Sequence, residues 1–338
     1  LGPLFSENVT AVADIVRPYE IPIISFSTDS NVAGDGVYLL SFPPEAEIPR
    51  LTDYALSQGY ARFGVMAPHT EYGDRVARSF ANQVYDRGGE VVTTARYRRD
   101  IDDMAMLSVD DAKEREMQIL GDIQAKVRSM VSSAERSFVP TYVSPRPSTP
   151  RISDDYNSSV MASPAGMSPI NSSEYSSGRY QSLFLPEPGR FIRALAPMFQ
   201  SNGINLREVK VLGLSTWNNA LLAKEPALQG SWFAAPDPVH AEGFRRRYQK
   251  AYGEKPARLA SQAYDAALLT ARLSLLPPDT RFSVETITNP SGYLGADGLF
   301  RLRRDGMVER GLAILEINGG IQVIDEAPRS FAPATAGY

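Results

Sequence analysis

His69 and His240 are the only imidazoles in the 338 residues, and the chain has no cysteine. The two histidines stand in separate segments and neither falls in an H-E-x-x-H or comparable metal-ligand spacing, so surface imidazoles are expected. Ser215 has Gly213 before it but Thr216 and Trp217 after it, where a nucleophile elbow needs glycine on both sides. A phosphate-cradling G-x-x-x-x-G-K is absent, and the lack of thiols excludes disulfides, thiol catalysis and Cys-ligated zinc. The chain therefore reads as a non-enzyme with no cofactor and no metal. What remains is the chemistry of binding. A helix start carries unpaired N–H groups and partial positive charge, so it takes anions, and a neighbouring hydroxyl strengthens the site. Hydroxyls gather at Ser27, Thr28 and Ser30, around Asp29, and again at Ser215 and Thr216, each group directly after an apolar run.

The elements that must position such turns are organised around Phe63 to Val92. This stretch reads as an apolar run FGVMAP, an amphipathic segment, a Gly88-Gly89 stop and a second apolar run. Val76, Phe80 and Val84, with Ala77 and Ala81 beside them, recur every three to four residues and predict one buried helical face. Thr70 or Asp74 is placed to cap its start, and the glycines to end it. Strand, helix and parallel strand imply a right-handed crossover and a sheet covered by helices on both faces.

Ahead of this unit, Leu1 to Leu4 read as the end of a strand, and Ser6 is placed to cap a helix buried through Val9, Val12, Ile15 and Val16. Strands are expected over 21–25 and 36–42 and a helix over 45–58. This alternation is the signature of an α/β layered fold. Beyond it, Leu120, Ile123, Val127 and Met130 suggest a long amphipathic helix over 110–136. The Ser- and Pro-rich stretch 140–178 lacks apolar periodicity and reads as disordered, inside an insertion over 101–179. Strands are expected again over 181–185, 209–213 and 231–234, with helices over 189–200, 240–252 and 258–275. The last of these is apolar on nearly every side, as for a helix packed between layers. An antiparallel ribbon over 299–324 would turn at Asp305-Gly306 and Gly319-Gly320.

The net charge of -4 and the absence of a sizeable basic patch give nucleic acid no purchase, and no run approaches the roughly 20 apolar residues of a membrane span. Arg245, Arg246 and Arg247 read as a solvated helix face. The chain opens on LGPLFS without Met, which suggests a piece of a longer protein.

LGPLFSENVTAVADIVRPYEIPIISFST and the EYGD helix start resemble the type I periplasmic binding fold of branched-chain amino-acid receptors. LGLSTWNN, LQGSWFAAPDP, FRRRYQKAYGEKPARLASQAYDAALL and GLFRLRRDGMVERGLAILEI resemble its penicillin-binding protein activator branch. The resemblance covers nearly the whole chain outside 101–179. It implies an α/β protein of two lobes, each a parallel sheet flanked by helices: 1–43 with 236–311, and 44–235 with 312–338. Three crossovers would join them, near Phe42 to Glu45, Ala235 to Pro238 and Arg310 to Ala313. It also implies two strand-helix units ahead of the Gly2-Pro3 turn, so that the first lobe is incomplete here.

By the same resemblance the ligand carboxylate would meet Ser6, Ser27, Thr28 and Tyr72 in a cleft between the lobes. Ser6 and Thr28 are equally readable as a cap and a turn former, and Tyr72 as a stacking or a packing ring. The place where receptors often carry an acid for the ligand ammonium holds Leu214, Ser215, Thr216 and Trp217. Glu45 could supply a carboxylate, or merely favour a helix start. Trp217 would anchor a partner or line the cleft, whereas Trp232 reads as core. The missing acid favours a non-enzymatic envelope protein that regulates a peptidoglycan synthase, a class A penicillin-binding protein, by direct contact. In that reading the Ser/Pro segment orders on its partner or is a spacer. The alternative is a periplasmic receptor feeding an amino acid or similar small molecule to an ABC transporter. Either way the protein is expected in the periplasm, with an anchor on a lipidated N-terminus absent from this chain.

Overall fold

A computed structural model describes residues 1–97, 118, 121–126, 128, 180–187, 192, 209–257 and 259–331. The expected Ser/Pro stretch and most of the 110–136 and 189–200 helices lie outside these residues.

The anchor unit forms as expected: β3 (Arg62–Pro68), α3 (Glu71–Asp86) and β4 (Glu90–Tyr97), with β3 and β4 parallel. Thr70 Oγ1 accepts from the Gly73 N–H and caps α3. Before it come α1 (Ser6–Val16), β1 (Ile23–Ser25), β2 (Val37–Leu39) and α2 (Pro44–Ser57). Beyond it run β5 (Ser182–Phe184), β6 (Lys210–Gly213), β7 (Trp232–Ala235), α4 (Pro238–Tyr252), α5 (Ala260–Ser274) and α6 (Val284–Ile287). The chain closes with β8 (Tyr293–Gly295), β9 (Gly298–Leu302), β10 (Val308–Arg310), β11 (Ala313–Ile317) and β12 (Ile321–Asp325).

Seven strands make the main sheet in the order β12-β11-β7-β6-β5-β3-β4, parallel from β7 through β4 and antiparallel at the β11–β12 edge. Strand periodicity sorts its side chains. Phe63, Val65, Phe184, Leu212 and Trp232 face α2 and α3, while Met66, Leu183, Val211 and Phe233 fill a second core on the other face. Helical residues 121–126 place Ile123 in that second core. Both faces of the sheet are thereby buried, as a parallel sheet requires.

The remaining strands form a parallel pair, β1 with β2, and an antiparallel group β10-β9-β8. The turn between β9 and β10 docks on β2, where the Leu39 N–H donates to Gly306 O at 2.8 Å. Gly306 has φ +80° and lies against the backbone of Gly34 and Val37, so only glycine fits this turn. Ile24, Tyr38 and Leu40 share a core with Ala266, Leu269 and Leu273 of α5 and with Phe300 and Leu302 of β9. The chain passes between this body and the main sheet after β2, after β7 and after β10.

Three expectations fail here. Residues Leu1–Leu4 are not a strand, although the Gly2 N–H donates to Ile24 O and the Phe26 N–H to Pro3 O, so the segment flanks β1. Phe5, not Ser6, is the N-cap of α1; Ser6 begins the helix and makes no capping bond. α5 is not buried all round: Gln262, Asp265, Ala266, Leu269 and Leu273 are buried, while Tyr264 is 43% and the adjoining Leu275 86% exposed.

Phe80 of α3 is fully buried, stacked on Phe184 at 4.1 Å and edge-on to Phe63 at 5.5 Å. Phe80→Ala leaves a cavity between α3 and the sheet and should cost about 3–5 kcal/mol in urea unfolding. A loss below about 1 kcal/mol would show that α3 does not rest on this stack.

Candidate functional site

The seven residues singled out from the sequence do not converge. Ser6 is at the first turn of α1 without a side-chain bond to the backbone there. Ser27 is buried, and its hydroxyl accepts from the Asp29 N–H at 3.1 Å, so it builds its own turn. Thr28 is exposed and offers its carbonyl to Arg75 at 3.2 Å. Glu45 pairs with Arg75 at 3.0 Å and accepts from Ser30 at 2.9 Å. Tyr72 packs on the α2/α3 core and donates to Pro186 O at 3.1 Å. Trp217 is fully buried beneath Gly213, and its indole N–H donates to Glu187 O at 2.8 Å. An added Cβ at Gly213 would overlap that indole, so Trp217 is a core residue, not a partner anchor or a cleft lining. Both histidines are exposed.

Ser215 alone among the seven lines a cleft of about 370 Å³ beside the chain passages. It is lined by Phe42, by the turn after β6 at Ser215, Thr216, Asn218 and Asn219, by Phe244 of α4, by Gln262 at the start of α5 and by Asp297 in the β8–β9 turn. A second groove of about 700 Å³ runs between α2 and the β9–β10 hairpin. Arginines there meet acids, Arg87 with Asp53 and Arg303 with Asp305, so its charges largely satisfy one another.

The cleft is backed by buried charge. Glu47, in the first turn of α2, takes hydrogen bonds from both the N–H and the hydroxyl of Ser215, each at 2.6 Å. Arg310 is buried at the end of β10, donates from Nε to Ser41 O at 3.0 Å, and lies 3.9 Å from the centre of the Phe42 ring. Asp265, one turn along α5 from Gln262, accepts from the Ala296 N–H at 2.6 Å. Its carboxylate occupies the space a side chain on Gly295 would need. Burial pulls the Arg310 proton affinity down, and Asp297, Asp265 and Glu47 pull it back up. Several polar atoms remain without a hydrogen-bond partner: Gln262 Oε1, Asp265 Oδ2, Asp297 Oδ2, and Arg310 Nη2. Arg310 faces the second groove, whereas Gln262 and Asp297 face the cleft.

The turn directly after β6 carries no acid of its own; Glu47 reaches it from α2, while Asp265 of α5 and Asp297 of the β8–β9 turn stand with Glu47 around Arg310. Asp265 within LASQAYDAALL was the available signal, an acid on the apolar face of a helix. Among the described residues no group of three metal-ligating side chains occurs, and no helix is long and apolar enough to cross a membrane.

Solved structures share this architecture. A branched-chain amino acid ABC transporter protein from Rhodospirillum rubrum is 16% identical over 96% of this chain and 79% of its own, with a TM-score of 0.64. The leucine-binding protein of Thermotoga maritima is 16% identical over 96% of this chain and 78% of its own, at 0.57. A Rhodopseudomonas palustris solute-binding protein solved with 3,4-dihydroxybenzoic acid is 14% identical over 99% and 79%, also at 0.57. No family model and no curated protein matches the chain. The fold is the two-lobed type I periplasmic binding fold, a parallel-rich sheet flanked by helices. The Thermotoga maritima and Rhodopseudomonas palustris structures are named as binding proteins, for leucine and for a solute.

Burial raises the Asp265 carboxyl from 3.8 to about 6, although the Ala296 N–H and Arg310 pull it down. The folded chain then keeps a proton that the unfolded chain has released. Stability falls as pH rises from about 4 to about 6, by roughly 3 kcal/mol from this group. Asp265→Asn should remove that component, so urea unfolding of the two proteins between pH 4 and 7 should diverge in slope. Parallel slopes would assign the pH dependence to other groups.

Proposed function

We propose that the protein is a non-catalytic periplasmic receptor that takes a small solute into the 370 Å³ cleft and presents it to an ABC transporter. The lobes are 1–43 with 236–311, and 44–235 with 312–338, and solute binding draws them together about the three chain passages. The cleft itself carries this reading. It lies between elements of the main sheet and of the smaller body, and its wall holds buried polar atoms with nothing to bond. Buried polar atoms cost free energy until a partner arrives, so a ligand would supply what the chain does not. The solute-binding proteins of similar fold support the same reading.

Regulation of a class A penicillin-binding protein has less support. Its main anchor, Trp217, is in the core, and the acid whose absence argued against a receptor is provided by other segments.

Calorimetric titration of the whole chain with amino acids, amines and aromatic acids should find a solute bound at micromolar affinity. The radius of gyration by small-angle scattering should fall on binding. Saturation with no heat and no compaction across the panel, together with retention on a purified class A penicillin-binding protein, would replace the receptor by the regulator.

A further inference from the structure

The β11–β12 hairpin turns through Asn318, Gly319 and Gly320, between the paired Ile317 and Ile321. Asn318 and Gly319 are both exposed. Gly319 adopts φ +63°, and an added Cβ there would meet open space, so the turn is uncrowded. Asparagine followed by glycine is prone to cyclise, because the attacking backbone nitrogen belongs to a residue with no side chain to hinder it. The Gly319 nitrogen attacks Cγ of Asn318: the N–Cγ bond forms, the Cγ–Nδ2 bond breaks, and the Gly319 proton leaves with ammonia. Water then opens the cyclic imide at either carbonyl. One opening gives aspartate, the other isoaspartate, and neither needs an oxidant or a reductant.

For the nitrogen to reach Cγ, the peptide plane between Asn318 and Gly319 must turn, and this plane is held at both ends. Its carbonyl, Asn318 O, accepts from Gln322 Nε2 at 3.2 Å, and its N–H, on Gly319, donates to Gln229 Oε1 at 2.6 Å. Gln229 is fixed in turn, since its Nε2 donates to Glu225 O at 2.8 Å and to Ala223 O at 3.3 Å. The preceding plane is tied as well, by the Asn318 N–H donating to Gly320 O at 2.9 Å. An acceptor on the Gly319 N–H also favours the protonated nitrogen, which is the unreactive form. We propose that Asn318 is a site of spontaneous deamidation, and that Gln229 and Gln322 are positioning residues which keep its peptide plane from closing onto the side chain. Reaction waits until this clamp opens. The product places a carboxylate at the β11–β12 edge and, as isoaspartate, adds a backbone carbon to a turn whose length sets the register of Ile317 with Ile321. The assignment is independent of the receptor reading.

The test incubates the full chain at mildly alkaline pH and follows the tryptic peptide 311–329, which holds the Asn318-Gly319 pair, by mass spectrometry. Wild type, Gln229→Met and Gln322→Met are compared folded and in guanidinium chloride, with Asn318→Ser as the blank. A hydrogen bond of ordinary net strength slows the turning of the plane about fivefold, so folded Gln229→Met should gain the mass of an amide-to-acid conversion about fivefold faster than the wild type. Gln322→Met, whose bond is longer and exposed, should be accelerated less. In guanidinium chloride the three should react alike, and faster than the folded wild type. Melting checks that each variant folds; if Gln229→Met does not melt cooperatively, Gln322→Met decides, a faster rate supporting the clamp and an unchanged one overturning it. Folded variants that react no faster than the wild type, a wild type that reacts no faster when unfolded, or a mass gain that persists in Asn318→Ser overturns the proposal.

Discussion

Arg310 is a guanidinium buried at the point where the chain passes for the third time between its two bodies, and the surrounding structure is arranged to make that position tolerable. Its Nε bonds the carbonyl of Ser41 and its plane covers Phe42, so the end of β10 is joined to the first passage. Three carboxylates from α2, α5 and the β8–β9 turn supply the opposing charge. Desolvating an ion costs several kcal/mol, and neighbouring charges offset this only in good geometry. The cost therefore ties together segments distant in sequence, and it does so beside the cleft.

The same cluster explains why this cleft differs from a simple anion site. Glu47 reaches from the first turn of α2 to the turn after β6 and takes up both donors of Ser215. The negative charge left over is carried by Asp265 and Asp297 on the opposite body. Arg310 and these carboxylates stand beside the cleft, so the electrostatics of the cleft and of the chain passages are one problem.

Away from the passages, the two bodies also touch through charge. Arg75 of α3 meets Asp29 at 3.8 Å, and Asn31 bonds Glu71 at 3.3 Å. These contacts are partly or fully exposed. Such pairs contribute little to stability and can exchange for water.

The architecture was legible from the sequence because it is written locally. Val76, Phe80 and Val84 place a helix by their period, Phe63 to Val92 forms a strand-helix-strand unit by order alone, and Asp305-Gly306 marks a hairpin by its turn chemistry. The site was not legible in the same way. Trp217 follows a strand among polar neighbours and looks exposed, yet Gly213 leaves room for its ring to fold back into the core. Glu47 looks like a helix-start acid, and only the packing of α2 against the end of β6 brings it to Ser215. Gln262, Asp265 and Asp297 lie up to 35 positions apart by their numbering and meet through the docking of α5 on the β8–β9 turn. Periodicity and turn residues report on neighbours along the chain, so the sequence determined the elements and their order. Which polar atoms end up facing one another, and which are left without a partner, depends on contacts between remote segments, and tertiary structure alone decided that.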